Sequence, residues 1–141
     1  MYLDSAYIAK CYLNEPDAKS VRTLVAGRLG LTSSAWCLAE MACIFQRHVR
    51  EGSLTRAQGM RLRKLFQGDA TSGIWNLVPV SGSVLEEVGH RIARLRPDVY
   101  LRAGDAVHLV TAKEAGFHEV WTNDRHMLAA AAHFGLAGRS A

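Results

Sequence analysis

The hydrophobic and polar residues of this chain change their spacing several times, and each change separates one predicted element from the next. Short apolar stretches that fit strands lie at residues 2–3, 30–33, 75–80 and 118–122. The segments between them repeat at helical spacing, which predicts helices at 5–13, 34–50, 55–67, 83–96, 103–115 and 124–134. Strands that alternate with helices in this way indicate a parallel sheet with helices on both faces.

Two of the predicted helices carry a capping-box pattern at their starts. In this pattern a Ser or Thr is followed three residues later by Glu or Gln, and each side chain bonds the backbone of the other. Thr55 with Gln58 and Ser83 with Glu86 match it. We therefore expect the third and fourth helices to begin at these residues.

Composition is that of an ordinary globular protein. The chain has 141 residues, 49% hydrophobic and 21% charged, which fits a single domain spanning residues 1–141. No apolar run approaches the length of a membrane span, and Asp4 interrupts the N-terminus before a signal-peptide core could form. The cysteines are odd in number and form no CxxC pair, which favours reduced core residues at Cys11, Cys37 and Cys43. We expect a cytoplasmic protein without membrane contact.

Positive charge is concentrated in arginine. The net charge of +4 and the pI near 9.2 come mainly from two clusters. The first comprises Arg47, Arg50, Arg56, Arg61, Arg63 and Lys64, and the second comprises Arg91, Arg94, Arg96 and Arg102. Such a surface suits a polyanionic substrate, although solvated helix faces explain the clusters equally well.

Four carboxylates stand in apolar surroundings: Asp4, Glu40, Asp105 and Asp124. A buried carboxylate is costly unless it is paired, hydrogen-bonded or bound to a cation, and few basic residues neighbour these four. Mg²⁺ or Mn²⁺ is an economical partner, because hard cations prefer oxygen ligands. Asp4 and Asp124 each follow a strand and precede a helix, so both should lie at the edge of a parallel sheet that carries binding sites.

Each acid, taken singly, also has a purely structural interpretation. Asp4 and Asp124 fit the N-cap position before a helix. Glu40 shares a helical stripe with Trp36 and Arg47 and could pair with Arg47, and Asp105 could complement the dipole of its own helix. These interpretations do not explain why all four acids occur in similar apolar surroundings.

Each of the four acids lies within a short motif. The motifs are Tyr2-Leu3-Asp4-Ser5-Ala6, Leu38-Ala39-Glu40-Met41-Ala42, Arg102-Ala103-Gly104-Asp105-Ala106-Val107-His108-Leu109 and Trp121-Thr122-Asn123-Asp124-Arg125-His126-Met127-Leu128. In this order and at these separations, they resemble the acidic motifs of the PIN-domain nucleases, and most of all those of the VapC toxins of bacterial VapBC toxin–antitoxin systems.

The resemblance implies a fold and a site. The fold would be a three-layer α/β/α sandwich with a central, mainly parallel sheet. Asp4, Glu40, Asp105 and Asp124 would be the catalytic, metal-binding acids, with Asp4 and Asp105 as the best candidates for direct ligands. Ser5 and Thr122 would be supporting hydroxyls that orient water or carboxylate. One departure is that residues 136–141 lack the Val or Ile expected of a final strand, so the sequence does not support an element there.

The resemblance also implies an activity. The chain would be a Mg²⁺- or Mn²⁺-dependent endoribonuclease, the toxin of a type II system, with RNA as substrate and a VapB-like antitoxin as partner. We interpret His108 and His126 as structural or substrate-side groups, because a metal-bound water needs no separate strong base. The helix with Glu40 and the helix 55–67 carry more apolar surface than one core contact requires, which predicts a homodimer unless the two pack on each other.

Two alternatives remain open at this point. One is a PIN-like module that binds nucleic acid or protein without catalysis. The other is a receiver-like or phosphatase-like phosphoryl-transfer domain with its acid after the first strand. The latter needs a second acid beside Asp4, where this chain has Ser5 and Ala6.

Overall fold

A computed structural model describes all of residues 1–141 and contains seven α-helices and four short strands. The helices are α1 Ser5–Tyr12, α2 Ala18–Val25, α3 Cys37–Arg50, α4 Arg56–Thr71, α5 Gly82–Ile92, α6 Ala103–Glu114 and α7 Arg125–Ala130, which continues into a 3₁₀ turn at Ala131–Phe134. The strands are β1 Leu31–Ser34, β2 Trp75–Val78, β3 Glu119–Trp121 and β4 Ala137–Arg139.

The N-terminal residues join two parallel strand pairs into one sheet. β1 pairs with β2, and β3 pairs with β4, both in parallel. Between the pairs, Tyr2 bridges to Thr32 and Leu3 bridges to Trp121, again in parallel. The resulting order is β2, β1, residues 2–3, β3, β4. The segment 2–3 is therefore central, and whatever follows Leu3 emerges in the middle of one sheet edge.

Tyr2 and Leu3 point to opposite faces of the sheet, as successive strand residues must. Leu3 belongs to a buried cluster with residues of α1 and α3, including Ile8 and Met41. Tyr2 belongs to a second cluster with residues of α6 and α7, including Leu109. Helices thus cover both faces, and the predicted three-layer α/β/α fold is confirmed.

Most predicted elements are present, with shifted boundaries. Thr55 and Gln58 form the expected capping box, and α4 extends past the predicted end to Thr71. The box predicted at Ser83 is wrong, because the helix begins one residue earlier, at Gly82, and Ser81 accepts the hydrogen bond from the Val84 backbone. This helix ends at Ile92 rather than at residue 96. No helix is long and apolar enough to cross a membrane.

Two elements were not predicted. α2 is only eight residues long and fully buries just Ala18 and Val21, so its apolar stripe is too short to stand out. β4 forms without a β-branched residue because its hydrogen bonds to β3 come from the backbone alone. A Cβ atom at Gly138 would lie 3.0 Å from Cδ2 of Leu128, so the tight contact with α7 favours glycine rather than the expected Val or Ile.

The two helices considered for self-association contact each other. α3 packs against α4 within the chain, as the alternative to a dimer requires. Met60 and Leu65 of α4 nevertheless remain 66% and 52% exposed. The homodimer stays a prediction.

Candidate active site

All four predicted acids line one cavity of about 450 Å³. Asp4 follows the central segment 2–3 and Asp124 follows β3, so both stand where adjacent parallel strands end. Glu40 reaches the cavity from α3, and Asp105 reaches it from the first turn of α6. Residues separated by up to 120 positions are therefore brought together by the parallel topology.

Asp4 is both a helix cap and part of the cavity wall. Its Oδ1 accepts a hydrogen bond of 2.8 Å from the backbone of Tyr7, and its Oδ2 accepts one of 2.5 Å from Thr122. Burial raises the pKa of Asp4 to about 6, and these two hydrogen bonds oppose part of that rise. The hydroxyl of Thr122 also accepts from the backbone of Asp124 at 2.9 Å, so it ties two of the acids together.

Glu40 is held by donors from two other elements. Oγ of Ser5 donates to its Oε2 at 2.5 Å, and Nε2 of His108 lies 2.8 Å from the same oxygen. Burial alone would raise the pKa of Glu40, but the bonds from His108 and Ser5 outweigh it and hold this pKa below its ordinary value. The pairing of Glu40 with Arg47 that we considered is wrong, since Arg47 instead lies 3.8 Å from Glu15.

A buried tyrosine sets the tautomer of His108. Nδ1 of His108 lies 3.1 Å from the hydroxyl of Tyr2, and both side chains are fully enclosed. Burial raises the pKa of Tyr2, so its phenol keeps its proton and donates to Nδ1. The remaining ring proton is then on Nε2, where it faces Glu40. His108 thus makes a direct bond to a predicted site residue.

Asp105 and Asp124 complete the wall. Oδ1 of Asp124 accepts from the backbone of His126 and Met127 at 2.8 and 2.9 Å, which fixes it as the N-cap of α7. Oδ2 of Asp105 is buried and has no hydrogen-bond partner. Burial, and next the charge of Asp124, raise the pKa of Asp105, while nearby Arg102 opposes them.

The carboxylate oxygens of the cavity are chemically suited to a divalent cation. The buried, unpartnered Oδ2 of Asp105 is the kind of oxygen that a hard cation satisfies. Oε1 of Glu40 packs against the start of α6, since a Cβ atom at Gly104 would lie 2.6 Å from it. No three His, Cys, Asp or Glu side chains are gathered closely enough to hold one ion as they stand. The acids share a cavity without being assembled around a single point.

The rim of the cavity is aromatic and basic. Trp36 and Arg47 line it from the side of α3, as the predicted stripe through Glu40 requires, and Arg102 lines it from the start of α6. His126 is not part of the lining, and its ring packs edge-to-face on Tyr100 at 4.7 Å between centroids. Sequence reasoning missed the roles of Tyr2 and Gly104, because nothing local distinguishes them from ordinary core and helix residues.

Comparisons with known proteins agree with this geometry. The family model described as PIN domain matches residues 1–133. No curated protein sequence matches significantly. Among solved structures, the Sarcin-Ricin loop cleaving toxin VapC20 of Mycobacterium tuberculosis is similar, with a TM-score of 0.75, 14% identity and coverage of 92% of this chain and 93% of that chain.

Two further structures are similar over nearly the whole chain. VapBC2 of Rickettsia felis, bound to a DNA fragment from its promoter, has a TM-score of 0.69 and 15% identity, covering 99% of this chain and 96% of that one. FitAB bound to an IR36 DNA fragment has a TM-score of 0.67 and 14% identity, covering 99% and 93%. At these identities the similarity establishes a shared fold.

Proposed function

Because the chain belongs to the PIN domain family, we propose that it is a metal-dependent endoribonuclease that acts in the cytoplasm as the toxin of a type II toxin–antitoxin system. The observation that carries the proposal is the convergence of four carboxylates on one cavity, with a buried oxygen of Asp105 left without a partner. The receiver-like or phosphatase-like alternative is wrong, because the family is a different one.

The chemistry that a bound Mg²⁺ or Mn²⁺ supplies is activation of a water and stabilisation of charge on the phosphoryl oxygens. Asp4 and Asp105 are the proposed direct ligands. Glu40 and Asp124 bind directly, bind through water or orient the nucleophile. His108 and Ser5 hold one oxygen of Glu40 in place, and the helix backbone holds one oxygen of Asp124.

The charges at the rim support a polyanionic substrate. A cluster of carboxylates repels phosphate, so a positive rim is needed to bring RNA to it. Arg47 and Arg102 occupy that position. Arg91 and Arg96 of the second cluster instead form exposed ion pairs with Glu87 and Asp98. Part of the basic surface is therefore an ordinary solvated face.

We also propose a VapB-like antitoxin as partner and a homodimer as the assembly. The similarity to VapBC2 supports the first. An arginine from such a partner could pair with two of the carboxylates in a bidentate fork and exclude metal. Exposed Met60 and Leu65 support the second, since a two-fold interface would bury them.

The test is cleavage of purified transfer and ribosomal RNA with and without metal. Wild type should cleave the RNA with Mg²⁺ or Mn²⁺ and should not cleave it in EDTA. Asp105→Asn and Glu40→Gln should lose more than about 100-fold, since even residues that merely orient metal ligands contribute 10–100-fold. Leu85→Ala, at a half-exposed site on α5, is the matched control and should retain activity.

Calorimetric titration with Mn²⁺ separates the nuclease from a binding module. A nuclease should bind Mn²⁺ in wild type and bind it more weakly in Asp105→Asn. RNA binding without metal binding or cleavage would instead favour the non-catalytic alternative. Full cleavage in EDTA would contradict the metal-dependent mechanism outright.

A further inference from the structure

Trp36 differs from the other two tryptophans of the chain. Trp75 is buried and donates its indole N–H to the hydroxyl of Tyr12 at 2.6 Å. Trp121 is partly buried and donates to Glu119 at 2.9 Å. Trp36 is 40% exposed, yet it lines the cavity that contains the four acids. Its indole N–H bonds Glu40 and helps to lower the pKa of that acid, while much of the ring stays accessible.

The position of Trp36 is fixed by the site itself. It immediately precedes α3, and a Cβ atom at Gly104 would lie 3.0 Å from its Nε1, so the polar edge of the ring abuts the start of α6. Gly104 provides the space for this contact and for Oε1 of Glu40. One edge of the indole is therefore anchored beside the acids while much of its surface stays accessible.

Guanidinium groups accompany this aromatic surface. Arg47 is half exposed and its only ion-pair partner, Glu15, is 3.8 Å away. Arg102 lines the same cavity and follows Tyr100, which is 57% exposed. An accessible aromatic ring with flanking arginines is the combination that binds single-stranded nucleic acid, because bases stack on the ring and phosphates pair with the cations. An apolar protein partner would not require the arginines.

From this arrangement we infer that Trp36 is a stacking platform for an unpaired nucleobase next to the scissile phosphate, and that Arg47 and Arg102 contact neighbouring phosphates. The base must be unpaired, because a base inside a continuous duplex cannot reach the ring. The inference rests on the proposed nuclease function and adds to it the part of the substrate that is recognised.

The test is a double-mutant cycle between the ring and the bases. Two fluorescein-labelled strands of equal length and equal phosphate number are compared by anisotropy in EDTA: a single-stranded oligonucleotide and a strand of abasic residues. Wild type and Trp36→Phe should prefer the strand with bases by about ten-fold, which corresponds to ~1.4 kcal/mol and to the scale of base–aromatic stacking. Trp36→Leu should bind both strands equally.

The matched control is Leu38→Ala, which removes an apolar side chain that is 47% exposed on the same helix but outside the cavity. It should behave as wild type. With cleavable RNA and Mn²⁺, Trp36→Leu should raise KM about ten-fold over Trp36→Phe and leave kcat within about two-fold of that variant, since both lack the indole N–H beside Glu40 and differ in the stacking ring.

Three outcomes would overturn the inference. If wild type and Trp36→Leu show the same preference for bases, the platform is refuted and the nuclease proposal stands. If Trp36→Leu keeps that preference but loses association with a protein partner, Trp36 is a protein contact. If wild type binds neither strand and cleaves no RNA with metal, the nuclease proposal fails and the platform fails with it.

Discussion

Raising the pH from 5 to 7.5 should destabilise the metal-free protein, because the buried carboxyl group of Asp4 resists ionisation. Burial raises its pKa from an ordinary 3.8 to about 6, even though Thr122 and the Tyr7 backbone donate to it. The folded state therefore holds this proton more tightly than the unfolded chain. The contribution of Asp4 is fully present below pH 3.8 and is lost as the pH rises through 6.

The size of the effect follows from the two pKa values. A rise from 3.8 to about 6 corresponds to about 3 kcal/mol of lost stability once both states are ionised. Roughly 1 to 2 kcal/mol of this falls between pH 5 and 7.5, where the folded state alone is losing its proton. The melting temperature should drop by about 4 °C. Glu40 does not offset this, because its lowered pKa changes stability only below its ordinary value of 4.5.

The assay is thermal unfolding of wild type and Asp4→Asn in EDTA at several pH values between 5 and 7.5. Asparagine is a good N-cap, so its oxygen can still accept from Tyr7, and the hydroxyl of Thr122 can rotate to accept from its amide. The variant should fold and show a shallower dependence on pH. Contributions from groups that do not interact with Asp4 are common to both proteins and cancel in the difference.

Metal should reverse the dependence. A ligand carboxylate must be ionised to bind, so Mn²⁺ should stabilise wild type more at pH 7.5 than at pH 5. Identical pH slopes for wild type and Asp4→Asn would refute the reasoning, because the burial of Asp4 would then have no energetic consequence.

Three other substitutions test the remaining contacts. Gly104→Ala places a Cβ atom 2.6 Å from Oε1 of Glu40. Because a small displacement of a site group slows the reaction strongly, cleavage should fall by about ten-fold or more. An unchanged kcat/KM would show that the carboxylate of Glu40 moves freely. Tyr2→Phe leaves Nδ1 of His108 without its donor and should lower the free energy of urea unfolding by about 1–3 kcal/mol, and a smaller loss would argue against the assigned tautomer. Asp105→Asn removes a charge that burial and Asp124 both disfavour, so the metal-free melting temperature should rise while the stabilisation by Mn²⁺ shrinks. A fall in the metal-free value would mean that Oδ2 of Asp105 has a donor after all.

The convergence of the acids was predictable because it depends on topology rather than on side-chain detail. Once strands and helices alternate, parallel pairing places the residues after Leu3 and after β3 at one edge of the sheet. Helical periodicity then predicts which face of α3 carries Glu40. Trp36 and Arg47, which share that face, line the same cavity. Topology and periodicity therefore account for Asp4, Asp124 and Glu40, whereas the place of Asp105 in the site was implied by the family resemblance.

The contacts that hold the acids were not predictable in the same way. Tyr2 and His108 are 106 residues apart and lie on different elements, so no local pattern links them. Glu40 has a basic residue one turn further along its own helix, which made Arg47 the natural partner, yet Ser5 and His108 are nearer. The partner of Glu40 is decided by how the helices pack in three dimensions, which spacing along a chain does not encode.

The structural and chemical interpretations of Asp4 and Asp124 are compatible rather than exclusive. Each accepts backbone hydrogen bonds through Oδ1 as the N-cap of its helix, and each also lines the cavity. Capping therefore fixes the orientation of the carboxylate that faces the cavity. An alanine at either position would remove a cap contributing about 1 kcal/mol together with any ligand, so loss of activity alone would not distinguish the two roles. Asparagine keeps the cap and removes the charge, which makes it the substitution that isolates the chemistry.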